Sequence, residues 1–375
     1  MLRIESIVLR EIGLALKEPF QISSGTQNRR RILLVELRSA DGVEGWGECT
    51  AGEFPNYGPE AADTAWIALR EWVAPRVLGR DFAGPEEIHP ALEINFRGHN
   101  MAKAAVEMAA WELTARAEGV SLSKKLGGTR ERIRVGISLG IQASPEALVE
   151  KARTSLERGY RKVKIKIKPG MDVEYVRAVR EALGPDAPLM ADANNAYSLD
   201  DTASLEALDA LGLMMIEQPL AWDDLLRHVE LQKRLKTPIC LDESITSLDR
   251  AEDMIALGSG KIVNIKAGRV GGFVQSKAIH DLCERHGIPV WCGGMLESGV
   301  GRAHNVALSS LPNFTLPGDV SPSERYWERD IVLPEWTMDR EGWVNVPVGE
   351  PGLGVKVDRD RVEDLTVRKE ELRAR

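Results

Sequence analysis

The sequence predicts a closed βα barrel accompanied by a smaller α+β region. From Ile133 onward, short apolar runs alternate with charged helical stretches at a repeat of roughly 25 residues, the pattern of βα units on a parallel sheet. Roughly eight such runs occur, which suits a closed barrel better than an open sheet. Acidic and basic residues directly follow several of the runs, at the strand ends where barrel enzymes carry their catalytic groups.

The sequence pattern of the first 50 residues predicts β-strands. Residues 31–38 are apolar and β-prone, Asp41-Gly42 is a hairpin-turn signal, and residues 43–48 resume the strand pattern. We predict one loop at 19–25, which contains Phe20, and a second at 53–58, which contains Tyr57. Either loop taken alone is more typical of an ordinary turn than of a binding loop.

Helical spacing begins near residue 60 and is strongest over 100–119, where apolar residues recur at the period of a packed helix. Gly127-Gly128 closes this region. We therefore predict an α+β capping domain at 1–127, a barrel at 128–320, and a C-terminal segment at 321–375 that returns to the first domain.

The barrel repeat is assigned from its apolar runs and the helical stretches between them. The predicted strands are 134–140, 162–167, 188–191, 213–216, 238–241, 261–265, 289–291 and 313–316. The predicted helices are 145–157, 172–183, 199–211, 223–235, 248–257 and 275–286.

Bulk properties exclude several classes of protein. A net charge of −8 argues against a nucleic-acid binder, and the absence of an apolar run of membrane-spanning length argues against a membrane protein. The four cysteines form no close Cys-x-x-Cys pair, so neither a zinc site nor a disulfide framework is indicated. We expect a cytoplasmic protein and a homo-oligomer.

The charged residues recur once per βα unit. Lys166 ends the second strand, and Asp192, Glu217, Asp242 and Lys266 follow the next four at intervals of 26, 25, 25 and 24 residues. Asp and Ser often cap helices in βα loops, which would explain one or two of them. Helix capping does not explain why acids follow three consecutive strands with a lysine on the strand at either side.

The three acids, Asp192, Glu217 and Asp242, predict a metal site. Three converging carboxylates repel one another unless a cation lies between them, and an oxygen-only set favours a hard ion, Mg²⁺ or Mn²⁺, over Zn²⁺. Coordination positions remain for water and a substrate carboxylate.

The lysines predict acid–base chemistry. Lys164 and Lys166 share one face of their strand, and Lys266 lies across the predicted barrel mouth. An isolated Lys-x-Lys more often marks a solvated strand face, but the acids downstream change that expectation. A lysine acts as a base near neutral pH only if its pKa is lowered, and burial beside a cation and a second lysine would lower it. The matching task is removal of a proton α to a carboxylate, giving an enediolate.

These motifs resemble a known family. Lys164-x-Lys166, Asp192-x-Asn194, Glu217-Gln-Pro, Asp242-Glu243, Asn264-x-Lys266 and Gly293-Gly-Met-x-Glu297 are similar to the enolase superfamily, in its muconate-lactonizing-enzyme-like subgroup. The strings KIKIKPG, IEQPLAWDDL, CLDES, WCGGMLESGVGRAHN and LPGDVSPSERYWERD resemble the o-succinylbenzoate synthase and N-acylamino acid racemase family. The likeness extends over essentially the whole chain.

The resemblance implies a modified TIM barrel, (β/α)₇β, under an α+β cap built from both chain ends. It implies Mg²⁺ on Asp192, Glu217 and Asp242, with Lys166 and Lys266 as the acid–base pair. Lys164 would assist by lowering the pKa of Lys166 and by meeting the substrate carboxylate. The residues that would line the substrate pocket are Ser138, Asn194, Gly294, Met295, Glu297, Phe20 and Tyr57.

The resemblance implies a lyase, an isomerase or both. Syn dehydration to o-succinylbenzoate, a step of menaquinone biosynthesis, needs one lysine as base and then as acid, whereas racemisation of an N-acylamino acid needs both lysines. We expect the synthase to be the physiological activity. Alternatives are a dipeptide epimerase or cycloisomerase of the same superfamily, a metal-free Schiff-base aldolase, and a catalytically inactive barrel.

Overall fold

The computed structural model describes residues 1–374 and contains a cap sheet and a parallel barrel. Its strands are β1 Leu2–Ile22, β2 Gly25–Ser39, β3 Glu44–Cys49, β4 Asp81–Phe82, β5 Arg132–Arg134, β6 Ile137–Leu139, β7 Val163–Lys166, β8 Leu189–Asp192, β9 Ile216–Glu217, β10 Ile239–Leu241, β11 Ile262–Ile265, β12 Val290–Cys292, β13 Val332–Leu333, β14 Trp343–Asn345, β15 Lys356–Val357 and β16 Thr366–Arg373.

The helices fall between these strands. They are α1 Ala62–Ala68, α2 Ala74–Val77, α3 Ile88–Glu93, α4 Asn100–Ala117, α5 Leu122–Leu126, α6 Pro145–Glu157, α7 Val173–Leu183, α8 Thr202–Asp209, α9 Leu226–Arg234, α10 Leu248–Leu257, α11 Ala267–Val270, α12 Phe273–Arg285, α13 Gly299–Ser309 and α14 Arg359–Leu365. A π-helical turn at Leu69–Val73 joins α1 to α2.

Seven parallel strands, in the order β12-β11-β10-β9-β8-β7-β6, confirm the predicted barrel. The regular eighth strand predicted at 313–316 is wrong. Only single bridges form there, from Phe314 to Val290 and from Gly318 to Val135. Residues 314–318 therefore lie between the two edges of the sheet, and the barrel closes as (β/α)₇β.

The barrel strands bury both of their faces. On β7, Val163 and Ile165 belong to the large apolar cluster that includes the helix residues Val176 and Val179, while Lys164 and Lys166 alternate with them. The helices begin where the sequence provides caps, as at Ser144, whose hydroxyl accepts a hydrogen bond from the backbone of α6. Each βα unit thus carries its strand end to the same rim of the barrel.

The cap is an antiparallel sheet in the order β16-β1-β2-β3. β16 pairs with β1 from Ser6 to Ile12, so the C-terminal end of the chain completes the cap sheet. Helix α4 packs on β3 so closely that a Cβ at Gly47 would collide with the backbone oxygen of Ala105. The boundaries at 127 and 320 stay predictions.

The predicted loop at 19–25 is largely a strand hairpin. β1 continues to Ile22 and β2 begins at Gly25, with Phe20 paired opposite Gln27. Alternation is weak in this stretch, and its position over the barrel mouth gives it contacts that the local sequence does not indicate. The hairpin tip therefore holds Phe20 on a regular backbone.

Buried carboxylates join the cap to the barrel helices. Glu107 on α4 accepts hydrogen bonds from the backbone N–H groups of Phe273 (2.7 Å) and Val274 (3.0 Å), at the start of α12. Glu48 on β3 likewise accepts from Ser298 and Gly301 at the start of α13. Because the first N–H groups of a helix have no acceptor within the helix, these contacts satisfy them and fix the orientation of the cap above the strand ends.

We expect Glu107→Gln to flatten the dependence of stability on pH. Burial raises the pKa of Glu107 to about 8, above its ordinary value of 4.5. The folded protein therefore holds a proton that the unfolded chain releases, and this stabilisation is lost as the pH rises from 4.5 through 8. Between pH 6 and 8 the free energy of unfolding of the wild type should fall more steeply than that of the variant, by roughly 1 kcal/mol per pH unit.

Denaturant unfolding at pH 6, 7 and 8 measures this difference. The exposed Glu118→Gln, at the C-cap of the same helix, is the matched control and should keep the wild-type slope. Equal slopes for Glu107→Gln and wild type would contradict the assignment of a raised pKa to Glu107.

Candidate active site at the barrel mouth

Three lysines point into the barrel from β7 and the residue before it. Lys162, Lys164 and Lys166 are 0%, 3% and 8% exposed, so none lies on a solvated strand face. Lys166 Nζ lies 2.6 Å from Asp192 Oδ2 and 2.5 Å from Asn194 Oδ1. The alternation of the strand brings all three ammonium groups to the interior face.

The predicted carboxylates occupy neighbouring strands. Asp192 is paired in register with Lys166 on one side and with Glu217 on the other, and Asp242 follows β10 directly. All three are at most 1% exposed. Lys164 Nζ lies 3.2 Å from both Asp192 Oδ2 and Glu217 Oε2, so one ammonium group bridges two of the acids.

Cationic groups bind the oxygens of the three carboxylates. Within residues 1–374, the His280, Asp281 and Glu284 side chains on the outer helix α12 form the one acidic or histidine cluster with ligand atoms within 4.8 Å of one another. There the imidazole of His280 accepts a backbone hydrogen bond from Asn313 and stacks on Phe314, so its contacts are structural. The inward trio is less tightly grouped because ammonium and guanidinium groups bind its oxygens.

Lys266 lies beyond the trio, at the end of β11. Its Nζ is 2.7 Å from Asp242 Oδ2 and 3.2 Å from the hydroxyl of Tyr57, whose ring it also faces at 4.4 Å. The Tyr57 hydroxyl donates to Asp242 Oδ1 at 2.8 Å, and Arg269 forms an ion pair with the same oxygen. The second cap loop therefore lies directly on the site.

Lys166 and Lys266 line one cavity, with β8, β9 and β10 between their strands. Of the residues predicted to bind substrate, five line this cavity: Phe20, Tyr57, Asn194, Gly294 and Met295. The cavity encloses ≈ 80 Å³, far less than ligand pockets of a few hundred Å³. Phe20 and Tyr57 of the cap form part of its wall.

Two predicted pocket residues lie elsewhere. Ser138 is buried on β6, in register with Lys164, and does not line this cavity. The Glu297 carboxylate accepts from the Met295 backbone (2.9 Å) and the Asn305 amide (2.8 Å), below the cavity wall. Both hydrogen bonds go to Oε1, and Glu297 instead lines a smaller cavity of ≈ 10 Å³ that shares Lys266 and Met295 with the first.

Five contacting residues were missed as site residues or given no role, and one of them is Arg269, which pairs with Asp242. Asn264 donates to Glu217 at 2.7 Å, and Glu243 accepts from the Asn194 amide at 3.0 Å. Asp319 binds Lys164 at 2.6 Å, and Lys162 continues the lysine alternation. The signal for Lys162 was present inside the predicted strand 162–167, and that for Asp319 was an acid three residues after the run 313–316.

Neighbouring carboxylates determine the pKa values of two of the lysines. Burial lowers the pKa of Lys266, but its ion pair with Asp242 outweighs this and raises the pKa above its ordinary value. The pKa of Lys164 is also raised, since Asp319, Glu217 and Asp192 outweigh its burial. Carboxylates lie closer to these two lysines than other lysines do, and they set the direction of both pKa shifts. The lowering expected beside a bound cation stays a prediction.

The donor set fits a divalent cation. Burial and the adjacent Asp192 raise the pKa of Glu217 well above its usual range, the cost of placing carboxylates together in a dry interior. A bound dication would relieve that cost. Its ligands would be carboxylate oxygens, which suit a hard ion.

Family models match both parts of the chain. The model described as the N-terminal domain of mandelate racemase/muconate lactonizing enzyme matches residues 4–127, and the enolase C-terminal domain-like model matches residues 147–361. Enzymes of the enolase superfamily use a divalent metal.

Curated relatives share about half of the sequence. The chain is 51% identical to the o-succinylbenzoate synthase of Geobacillus kaustophilus, over 97% of this chain and 96% of the relative. It is 50% identical to the N-succinylamino acid racemase of Thermus thermophilus, over 98% of both chains.

Solved structures share the fold over the whole length. An enolase superfamily member from Listeria innocua superposes with a TM-score of 0.96 at 39% identity, covering 100% of both chains. A dipeptide epimerase from Cytophaga hutchinsonii, complexed with Mg and the dipeptide D-Ala-L-Val, superposes with a TM-score of 0.91 at 26% identity, covering 99% of this chain and 100% of the other.

Proposed function

The chain belongs to the mandelate racemase/muconate lactonizing enzyme family of the enolase superfamily, and from that premise we propose that it removes the proton α to a carboxylate. We propose o-succinylbenzoate synthase as its main activity and N-acylamino acid racemisation as a second activity of the same site. The relatives at 50–51% identity, which carry these two names, support both assignments.

One observation carries the proposal. Lys166 and Lys266 line the same cavity from strands four positions apart, and each of the three strands between them ends at a buried carboxylate. A substrate carboxylate held near those acids would have an amine on either side. Proton removal next to a carboxylate needs such a base together with positive charge for the resulting dianion.

We propose that Asp192, Glu217 and Asp242 hold Mg²⁺, with Mn²⁺ as a substitute. When bound, the ion supplies positive charge to the substrate carboxylate and so acidifies the neighbouring C–H bond. Buried side chains of both charge types surround the trio. They include Lys162, Lys164, Lys166, Lys266 and Arg269, and the acids Glu243 and Asp319.

In the proposed dehydration, Lys166 performs both proton transfers. The neutral amine takes the proton α to the carboxylate, which leaves an enediolate and an ammonium group. The ammonium then returns a proton to the departing hydroxyl on the same face, so the products are the aromatic acid and water. Lys266, held as a cation by Asp242, stabilises the negative charge.

In the proposed racemisation, both lysines transfer protons. One lysine takes the α-proton from its face and the other delivers a proton to the opposite face, which inverts the stereocentre. Lys266 must then lose its proton in one direction, and a dication that shares Asp242 would weaken the ion pair that holds it charged. Lys166 lies on the other side of the three carboxylates, in a position that corresponds to that of Lys266.

Purified protein with Mg²⁺ tests both activities directly. We expect turnover of the cyclohexadiene precursor and of an N-succinylamino acid, each abolished by a chelator and restored by Mg²⁺. A dipeptide substrate tests the epimerase alternative, and activity that survives chelation would favour the Schiff-base aldolase. If neither substrate turns over, the proposed function fails. The homo-oligomer and the cytoplasmic location stay predictions.

We expect Glu217→Gln to weaken metal binding without unfolding the protein. Glutamine keeps the shape and the hydrogen bond from Asn264 but removes one ligand charge. Mn²⁺ affinity should fall about 10- to 100-fold, with a comparable loss of turnover at limiting metal. Titration with Mn²⁺, followed by the electron paramagnetic resonance signal of the free ion, measures the affinity. The exposed Glu230→Gln on α9 is the control, and unchanged affinity in Glu217→Gln would contradict the metal assignment.

A further inference from the structure

Lys164 is shared among three buried carboxylates at unequal distances. Its Nζ lies 2.6 Å from Asp319 Oδ2 and 3.2 Å from both Asp192 and Glu217. All four side chains are at most 4% exposed, so water does not screen the competition. The shortest contact is to the acid that lies outside the proposed metal trio.

Asp319 is held in place independently of Lys164. Its backbone N–H donates to the Cys292 carbonyl at 2.8 Å, and its own carbonyl accepts from Arg302 at 3.0 Å. It follows Gly318, the residue that bridges to Val135 and helps to close the barrel. The carboxylate therefore projects from a fixed part of the backbone.

Lys162 lies beside the other oxygen of Asp319, as an ion pair without hydrogen-bond geometry. Its fully buried ammonium group lies 3.3 Å from Asp319 Oδ1 and 3.4 Å from the centre of the Trp291 ring. Burial alone would raise the pKa of Asp319, but Lys162 and Lys164 together lower it to about 2. Asp319 thus stays ionised, with one oxygen directed at each lysine.

We propose that Asp319 is a positioning residue that anchors Lys164 and keeps its ammonium group from neutralising Asp192 and Glu217, so that these two carboxylates remain available to the divalent cation. The inference rests on the proposed metal-dependent function and adds to it a residue outside the ligand trio. Without the charge of Asp319, Lys164 has only the two metal-site acids as ion-pair partners. It would then compete with the cation for the same oxygens.

Direct Mn²⁺ binding to the metal-stripped full-length protein tests this proposal, without any measurement of turnover. Asp319→Asn should weaken Mn²⁺ affinity by about tenfold or more, since Lys164 moves onto the acids. Lys164→Met should not weaken it. The double variant Asp319→Asn/Lys164→Met should recover the affinity of Lys164→Met to within about threefold.

Lys162→Met is the matched control, and it serves also if Asp319→Asn does not fold. It breaks the same buried network but leaves the Asp319 charge free to bind Lys164 more strongly, so Mn²⁺ affinity should be unchanged or tighter. Wild-type affinity in Asp319→Asn, no recovery in the double variant, or a tenfold loss in Lys162→Met would each overturn the proposal. If the wild type itself binds no Mn²⁺, the proposed function fails instead.

Discussion

Lys166→Ala is expected to lower the rates of both dehydration and racemisation by about 10⁴-fold. In dehydration this lysine both removes and returns the proton, and in racemisation it is one of the two carriers. Within residues 1–374 the hydrogen bonds of its ammonium group go to Asp192 and Asn194, and Lys164 remains beside Asp192, so the fold should persist. Steady-state assays of both reactions measure the loss.

Lys151→Ala is the control for this variant. That lysine lies on the outer helix α6, where it is paired only with the exposed Glu18, and its removal should leave both rates unchanged. If Lys166→Ala retained either activity within tenfold of the wild type, Lys166 would not be the base.

Lys266→Ala should separate the two reactions. Racemisation should fall by about 10⁴-fold because one of its two proton carriers is gone, whereas dehydration loses only a stabilising cation and should fall by about 10²- to 10³-fold. Assays of both substrates with a single enzyme preparation give the ratio of the two rate losses.

The control for Lys266→Ala is Lys261→Ala, an exposed lysine before the opposite end of β11. It should leave both rates unchanged. Equal losses in the two reactions for Lys266→Ala would contradict the two-lysine mechanism of racemisation.

The barrel and its charged rim could be predicted because both depend on local sequence features, namely the alternation within each strand and the length of each βα repeat. Lys166, Asp192, Glu217, Asp242 and Lys266 each end or directly follow an apolar run, so parallel pairing alone brings them to one rim. The eighth strand was predicted because its residues are apolar, and an apolar run indicates burial. A regular strand also needs continuous hydrogen bonding to a neighbouring strand, and this segment forms only single bridges.

The finer contacts were not predictable from local pattern. Glu297 was expected in the pocket, but it binds the Met295 N–H and the Asn305 amide through Oε1 and does not line the cavity shared by Lys166 and Lys266. The raised pKa values of Lys164 and Lys266 depend on distances of 2.6 and 2.7 Å to acids that are 155 and 24 residues away in sequence. Such distances follow from tertiary packing, which spacing along the chain does not specify.

The most direct test of the opposed lysines is solvent exchange of the α-proton. Each enantiomer of an N-succinylamino acid is incubated in D₂O with Mg²⁺ and either Lys166→Ala or Lys266→Ala, and deuterium at the α-carbon is followed by NMR. We predict that each variant exchanges one enantiomer only, and that the two variants exchange opposite enantiomers. Exchange of the same enantiomer by both variants would place the lysines on one face and contradict the account.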